Sequence, residues 1–284
     1  MHHDDTHDDY GGLVRDLRAT GEAMSRRRWL GMGMRLGATL GALPLVGCGG
    51  DSPTSPSSTT TSSSTTTTTT TTPPSSGTCS RVPEETAGPY PGDGSNGPTV
   101  LSASGVVRQD IRSSFAGLSG SADGIPLTIA LTIVSSSTCA PLAGRAVYIW
   151  HCDRLGRYSL YSSGVTNQNF LRGVQEADAN GRVTFTSIFP GCYAGRWPHI
   201  HFEVFPSLSA ATAVSNKVAT SQIALPKDAC DVAYATSGYE SSVRNLAGVT
   251  LASDNVFSDG SALELATMSG SVSGGYTATL SVAI

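Results

Sequence analysis

The segment Gly49–Gly77 does most to limit what this 284-residue chain can fold into. It is Ser, Thr, Pro and Gly almost throughout, and it includes the unbroken run Thr65–Thr72. With almost no apolar side chains it cannot offset the conformational entropy of ordering, so it reads as a disordered, flexible tether over residues 49–78. The chain then divides into a leader at 1–48, the tether, and one foldable stretch at 79–284 that is long enough for an ordinary single domain.

The leader has the marks of an export signal. Ser25-Arg26-Arg27-Arg28-Trp29-Leu30 resembles the twin-arginine motif of bacterial signals. A weakly apolar stretch, Leu30–Val46, follows; it is rich in Gly and interrupted by Arg35, which makes it a poor permanent membrane span. Leu45-Val46-Gly47-Cys48 resembles a lipobox, whose cysteine is lipidated and becomes the mature N-terminus. The three signals in this order imply a protein exported to the bacterial cell envelope or beyond, touching the membrane only through a lipid anchor on Cys48. His2, His3 and His7 belong to this leader and carry no function. Residues 1–47 hold six basic and six acidic residues, so the remainder keeps the whole chain's net charge of −4. Only Lys217 and Lys227 represent lysine. No basic stripe exists to follow a phosphate backbone, which argues against a nucleic-acid partner.

From Cys79 the texture changes to Val, Thr, Ser, Gly and Ala with little charge, a composition suited to short strands and turns. Leu127–Val134, Arg182–Ile188, His199–Phe205 and Tyr276–Val282 alternate apolar with small or polar residues, as half-buried strands do. Ala146–Trp150 reads as a further strand. Asp178-Ala-Asn-Gly181 is a turn signal, and Pro190-Gly191 is a breaker. Gln222–Tyr239 has room for one short helix. The pattern predicts an all-β fold, a β-sandwich of mostly antiparallel strands with long loops between them.

Beyond the leader only three histidines remain, His151, His199 and His201. His199 and His201 stand at i and i+2 on a predicted strand, which puts both rings on one face, roughly 7 Å apart at the backbone. A lone His-x-His is a weak signal and is often just a polar strand face. Its surroundings strengthen it. Tyr193 precedes the pair across a Gly-containing turn, in Pro190-Gly-Cys-Tyr-Ala-Gly-Arg196-Trp-Pro-His199-Ile-His201. Tyr158 follows the earlier strand, in Trp150-His-Cys-Asp-Arg-Leu-Gly-Arg-Tyr158. Two phenol oxygens and two imidazole nitrogens form a hard O/N donor set suited to oxidised iron, whereas zinc more often takes Cys, His or carboxylate. Coordination must also deprotonate the phenols, whose free pKa is about 10.

Gly156-Arg-Tyr158, Pro190-Gly-x-Tyr193 and Arg196-x-x-His199-x-His201 together resemble the intradiol ring-cleavage dioxygenase family, which includes the protocatechuate and catechol dioxygenases. Weaker matches flank them: Glu85-Thr-Ala-Gly-Pro-Tyr90-Pro, Arg108-Gln-Asp-Ile-Arg112 and Thr220-Ser-Gln222. The export signal, the tether and Trp150-His151-Cys152-Asp153 depart from the cytoplasmic enzymes and look closer to a secreted branch.

The resemblance implies ferric, non-haem iron held by Tyr158, Tyr193, His199 and His201. Tyr158 and His199 would be equatorial, Tyr193 and His201 axial, with a solvent hydroxide in the fifth place. It implies a catechol-type substrate opened by O2 between its two hydroxylated carbons, with a cis,cis-muconate-type product, and a dimer or larger assembly. It also gives Arg196 the stabilisation of negative charge on the substrate, and Gln222 a place facing the substrate. Tyr161 replaces Tyr158 as ligand if the loop register differs. His151 lines the pocket or is a satisfied core histidine. If Cys48 is lipidated, the simplest arithmetic for Cys79, Cys139, Cys152, Cys192 and Cys230 is two disulfides and one free thiol, with Cys192 a candidate for the free one. Two rival readings are a non-catalytic surface β-sandwich that binds carbohydrate or protein, and a copper or metal-storage sandwich. The first leaves the joint occurrence of Tyr158, Arg196, His199 and His201 unexplained; the second lacks a His2Cys arrangement.

Overall fold

A computed structural model of the chain describes residues 78–284. The expected export signal, Cys48 and all but the last residue of the expected tether therefore lie outside the described residues. Eight strands form two four-stranded sheets. In chain order they are β1 (Pro126–Val134), β2 (Ala146–Trp150), β3 (Arg172–Glu176), β4 (Arg182–Ile188), β5 (His199–Phe205), β6 (Ala219–Ala224), β7 (Thr267–Ser271) and β8 (Gly275–Ala283). One sheet has the order β4-β1-β8-β7 and the other β3-β2-β5-β6. All ladders between these strands are antiparallel except the one that lays β8 parallel to β1.

The expected all-β sandwich is present, and the five strands read from the sequence stand within a residue or so of the expected bounds. Strands β3, β6 and β7 were not anticipated. β3 and β6 lack a clean alternation, and β7 is the Ser- and Gly-containing run TMSGS. The segment Gln222–Tyr239 holds one short helix, as expected, and a second follows just beyond it. After β6 come α1 (Lys227–Tyr234) and α2 (Glu240–Ala247). Among the described residues no helix is long and apolar enough to cross a membrane.

The core between the sheets is filled by Ile129, Leu131 and Ile133 of β1, Phe185 of β4, Val147 and Ile149 of β2, and Ile200, Phe202 and Val204 of β5, all fully buried. Burying each such side chain contributes about 1.5–3 kcal/mol. The opposite face of the second sheet is also covered. Tyr148 and Trp150 of β2 and Phe205 of β5 pack there with Val100, Val106 and Phe115 from the loops before β1. β2 and β5 are consequently buried at every position. The polar–apolar alternation of His199–Phe205 separates a hydrocarbon core from a loop-covered polar layer, and neither side meets solvent.

His151, just past β2, is a satisfied core histidine. Its Nδ1 lies 2.8 Å from the Cys152 carbonyl and its Nε2 2.7 Å from the Ser187 hydroxyl. Burial pushes its pKa down to about 4.

One disulfide joins Cys79 to Cys139, and Cys152, Cys192 and Cys230 are buried free thiols. This corrects the expectation of two bridges and one free thiol. Each buried thiol is used as a small side chain facing a carbonyl, Gly191 for Cys152, Arg196 for Cys192 and Leu225 for Cys230. Burial raises the pKa of all three, which keeps them protonated and unreactive. The bridge pins the start of the domain beside its end: Cys79 N–H donates to the Ser136 carbonyl, and Ser136 N–H to the carbonyl of Ile284.

Two outcomes follow from this packing. The disulfide closes a loop of sequence separation 60, so the Cys79→Ala/Cys139→Ala protein is expected to lose about 2–4 kcal/mol of stability; an unchanged urea midpoint would contradict this. His151 is neutral when folded and titrates normally when unfolded. The unfolded chain therefore binds more protons between about pH 6.5 and 4, and the contribution of His151 to stability is whole above that window and drains away as pH falls through it. The urea midpoint should drop between pH 7 and pH 5, and drop less in His151→Gln, which cannot charge. Equal slopes in the two proteins would rule the histidine out.

Candidate metal centre

The site lies on the loop-covered face of the β3-β2-β5-β6 sheet. β5 supplies His199 and His201, whose rings are on one face as the i, i+2 spacing requires, with centroids 4.7 Å apart. The Nε2 atoms approach to 3.1 Å. Tyr158 Oη lies 3.3 Å and Tyr193 Oη 3.2 Å from His199 Nε2. All four side chains expected as ligands are thus brought together. Tyr161 is not among them. Its hydroxyl donates to Asn96 Oδ1 and accepts from the Gly92 N–H, each at 2.9 Å, so the alternative register is not the one adopted.

Each donor is held from behind. Trp150 lies flat against His201, with centroids 4.9 Å apart and planes 4° from parallel; the register places it opposite His201 on the neighbouring strand. His199 Nδ1 faces the Trp197 carbonyl. A carbonyl only accepts, so Nδ1 carries the proton and the Nε2 lone pair points into the cluster. Burial and the nearby Arg196 charge bring the His199 pKa down to about 3. Burial, His199 and Arg196 likewise hold His201 well below the usual histidine value. Both imidazoles are neutral at ordinary pH, the form in which histidine binds a metal.

The tyrosines come from two loops that touch. The loop after β2 is organised by Asp153, whose Oδ1 accepts from the Leu155 and Arg157 N–H groups. Its far side is held by the buried Arg172 of β3, which donates to the carbonyls of Tyr90, Pro91 and Ser159. The loop before β5 passes so close that a Cβ on Gly191 would lie 2.5 Å from the Arg154 carbonyl oxygen. Gly156, at φ +82°, leaves room for Tyr193, whose Cβ would lie 3.0 Å from a Cβ placed there. These two glycines explain why Gly-Arg-Tyr158 and Pro-Gly-x-Tyr193 can bring their phenols together. The helices brace this second loop from below. Tyr234 at the end of α1 donates to the Pro190 carbonyl, Tyr239 before α2 donates to the Phe189 carbonyl, and Ser242 Oγ and Asn245 Nδ2 of α2 take the Cys192 N–H and carbonyl.

Donor separations of 3.1–3.3 Å suit a shared metal ion, since bonds of about 2.0–2.1 Å at ordinary coordination angles space neighbouring donors by about 2.9–3.4 Å. Among the described residues no group of three or more His, Cys, Asp or Glu is placed to hold a metal; half of this donor set is phenolic. Tyr158, His199 and His201 are buried, and Tyr193 is the one half-exposed donor.

Arg196 and Gln222 lie beside the cluster. Gln222 is the cross-strand partner of His201. Its Oε1 accepts from Arg196 Nη2 at 2.7 Å and its Nε2 donates to the Thr86 carbonyl. The sequence reading missed Asp254, fully buried and 3.0 Å from Arg196 Nε. It also missed the roles of Arg172 and Trp150. Nothing local in the sequence marks Asp254, which lies 53 residues beyond His201 in a turn with no motif of its own.

Comparisons with known proteins agree on the kind of molecule. A family model described as "Dioxygenase" matches residues 97–239, just over half of the chain and all four clustered donors. An intradiol ring-cleavage dioxygenase from Tetranychus urticae superposes with a TM-score of 0.56 at 28% identity, over 72% of this chain and 94% of that one. A second solved dioxygenase gives 0.58 at 27% identity, with the same coverage. No curated protein matches the sequence. The matched segment spans both loops and the strand that assemble the cluster, and the chain belongs to the intradiol ring-cleavage dioxygenase family.

Proposed function

We propose that this chain is a non-haem Fe(III)-dependent dioxygenase that opens a catechol-type ring between its two hydroxylated carbons with O2, giving a cis,cis-muconate-type product. The observation that carries this reading is the convergence of Tyr158 Oη, Tyr193 Oη, His199 Nε2 and His201 Nε2 within 3.1–3.3 Å steps. Bound ferric iron would supply Lewis acidity and withdraw electron density from the catecholate ring, so that a ring carbon becomes reactive toward O2.

The chain's own groups do the rest. Tyr158, His199 and His201 are the buried, fixed holders. Tyr193 is the half-exposed donor, and as the phenolate that metal binding requires it would take a proton from a substrate hydroxyl. The Arg196 guanidinium, beside both histidines, stabilises negative charge that develops on the ring, and Gln222 holds it in place. The covered face of β2 and β5 excludes water from behind the cluster, which strengthens these interactions. We also read residues 1–48 as the export signal and Cys48 as the lipid-bearing end. The enzyme would then work in the cell envelope on the tether 49–78, as a dimer or larger assembly.

The test is a visible absorption spectrum with an iron assay, before and after adding catechol. The expected protein is coloured by phenolate-to-Fe(III) charge transfer, with near-stoichiometric iron, and its band shifts on catechol binding. Tyr158→Phe should lose most of the iron and the colour. A protein that stays colourless after reconstitution with ferric iron would sink the reading and leave a non-catalytic binding module in front.

A further inference from the structure

Asp254 belongs to no matched motif. It lies beyond residue 239, where the family match ends, in the turn that precedes a short 3-10 helix at Phe257–Asp259. It is fully buried, an expensive place for a carboxylate unless every lone pair is used. Here both oxygens accept twice. Oδ2 takes Arg196 Nε at 3.0 Å and the Trp197 N–H at 2.7 Å. Oδ1 takes the Val256 and Phe257 N–H groups at 2.8 and 3.1 Å. The backbone of Asp254 is fixed as well, its N–H donating to the Thr250 carbonyl and its carbonyl accepting from Ser258.

We propose that Asp254 is a positioning residue for Arg196: it sets the plane of the guanidinium beside His199 and His201, and ties that plane to the turn that carries Tyr193 into β5. Gln222 grips the guanidinium at Nη2 while Asp254 grips it at Nε, and two anchors on different atoms of a planar group leave it no free rotation. The same carboxylate oxygen holds the Trp197 N–H, and the Trp197 carbonyl faces His199 Nδ1. One carboxylate therefore fixes the cation and the strand entrance together. The inference rests on the charge-stabilising role given to Arg196 above. It adds that the chain beyond the family match, through the turn at Thr250–Phe257, completes the site.

The test compares the full-length holoenzyme with D254N, R196Q and the double variant, using catechol as substrate. In D254N an uncharged amide must face a pair of N–H donors with its own NH2 whichever way it turns, so either the guanidinium and Trp197 or the turn that fixes the side chain loses its acceptor, and in both cases the grip on Arg196 is weakened. D254N should keep its iron and its resting visible band, because no ligand is touched. Its kcat should fall by about a hundredfold, the scale of a misplaced catalytic group, with a much smaller change in KM. On the R196Q background the same substitution should have little further effect, because Asp254 acts through Arg196. By NMR of the metal-free protein, the Arg196 Nε–H proton should be protected from exchange in the wild type and exposed in D254N. If D254N is not recovered folded, D254E, which moves the carboxylate by one methylene, carries the same measurements. A kcat near the wild-type value, equal losses on both backgrounds, or an Arg196 Nε–H that stays protected would overturn the proposal. An iron-free, inert wild type would instead defeat the enzymatic reading, and the exchange measurement would still decide the geometry.

Discussion

Everything at the site depends on β5 being buried on both faces. Ile200, Phe202 and Val204 fill the core between the sheets, and His199, His201 and Glu203 face a layer built from loops. Because the strand cannot twist its histidines out to solvent without pulling three core side chains from their sockets, the two imidazoles are held in register by hydrophobic packing. Losing even one such core side chain costs about 2–5 kcal/mol. Trp150 on the neighbouring strand completes the constraint by stacking on His201.

A polar layer this deep is stable only if its charges are paired or their donors are taken up by hydrogen-bond acceptors. Arg196 is paired with Asp254, and Glu203 with Lys217 at 2.8 Å. Arg172 is held by carbonyls and hydroxyls rather than by an acid. Burial lifts the Glu203 pKa to about 7 even beside Lys217. Removing one member of such a buried pair strands the other, at about 3–5 kcal/mol. The groups that shape the site are therefore also groups the fold cannot easily lose, and stability and chemistry are linked at Arg172, Arg196 and Asp254.

The loops show how a β-sandwich becomes a site. The sheets supply rigid positions for the histidines, and the tyrosines are added by two loops whose mutual contact requires Gly156 and Gly191. α1 and α2 brace the loop bearing Tyr193 through hydrogen bonds to Phe189, Pro190 and Cys192. The C-terminal part of the domain thus acts as the floor of a site whose donors all come from earlier in the chain.

Much of this was legible beforehand, for physical reasons. Alternation and turn chemistry are local, so β1, β2, β4, β5 and β8 could be read directly, and the short fixed spacings around Tyr158, Tyr193, His199 and His201 marked the donor set. β7, with its Ser and Gly, has no such local signal, and α2 lay past the segment where a helix was expected. The disulfide count went astray because pairing depends on which thiols meet in bonding geometry, and Cys152, Cys192 and Cys230 are buried without forming a bridge. The sequence by itself determined the sandwich class and the strand that carries the histidines, and its resemblance to the family pointed to Tyr158, Tyr193, His199 and His201 with Tyr161 as an alternative to Tyr158. Tertiary structure alone decided which tyrosine joins them, that His151 is a core residue, and that Asp254 meets Arg196 across 58 residues of chain, because a buried charge is paired by whatever the fold brings within hydrogen-bonding distance.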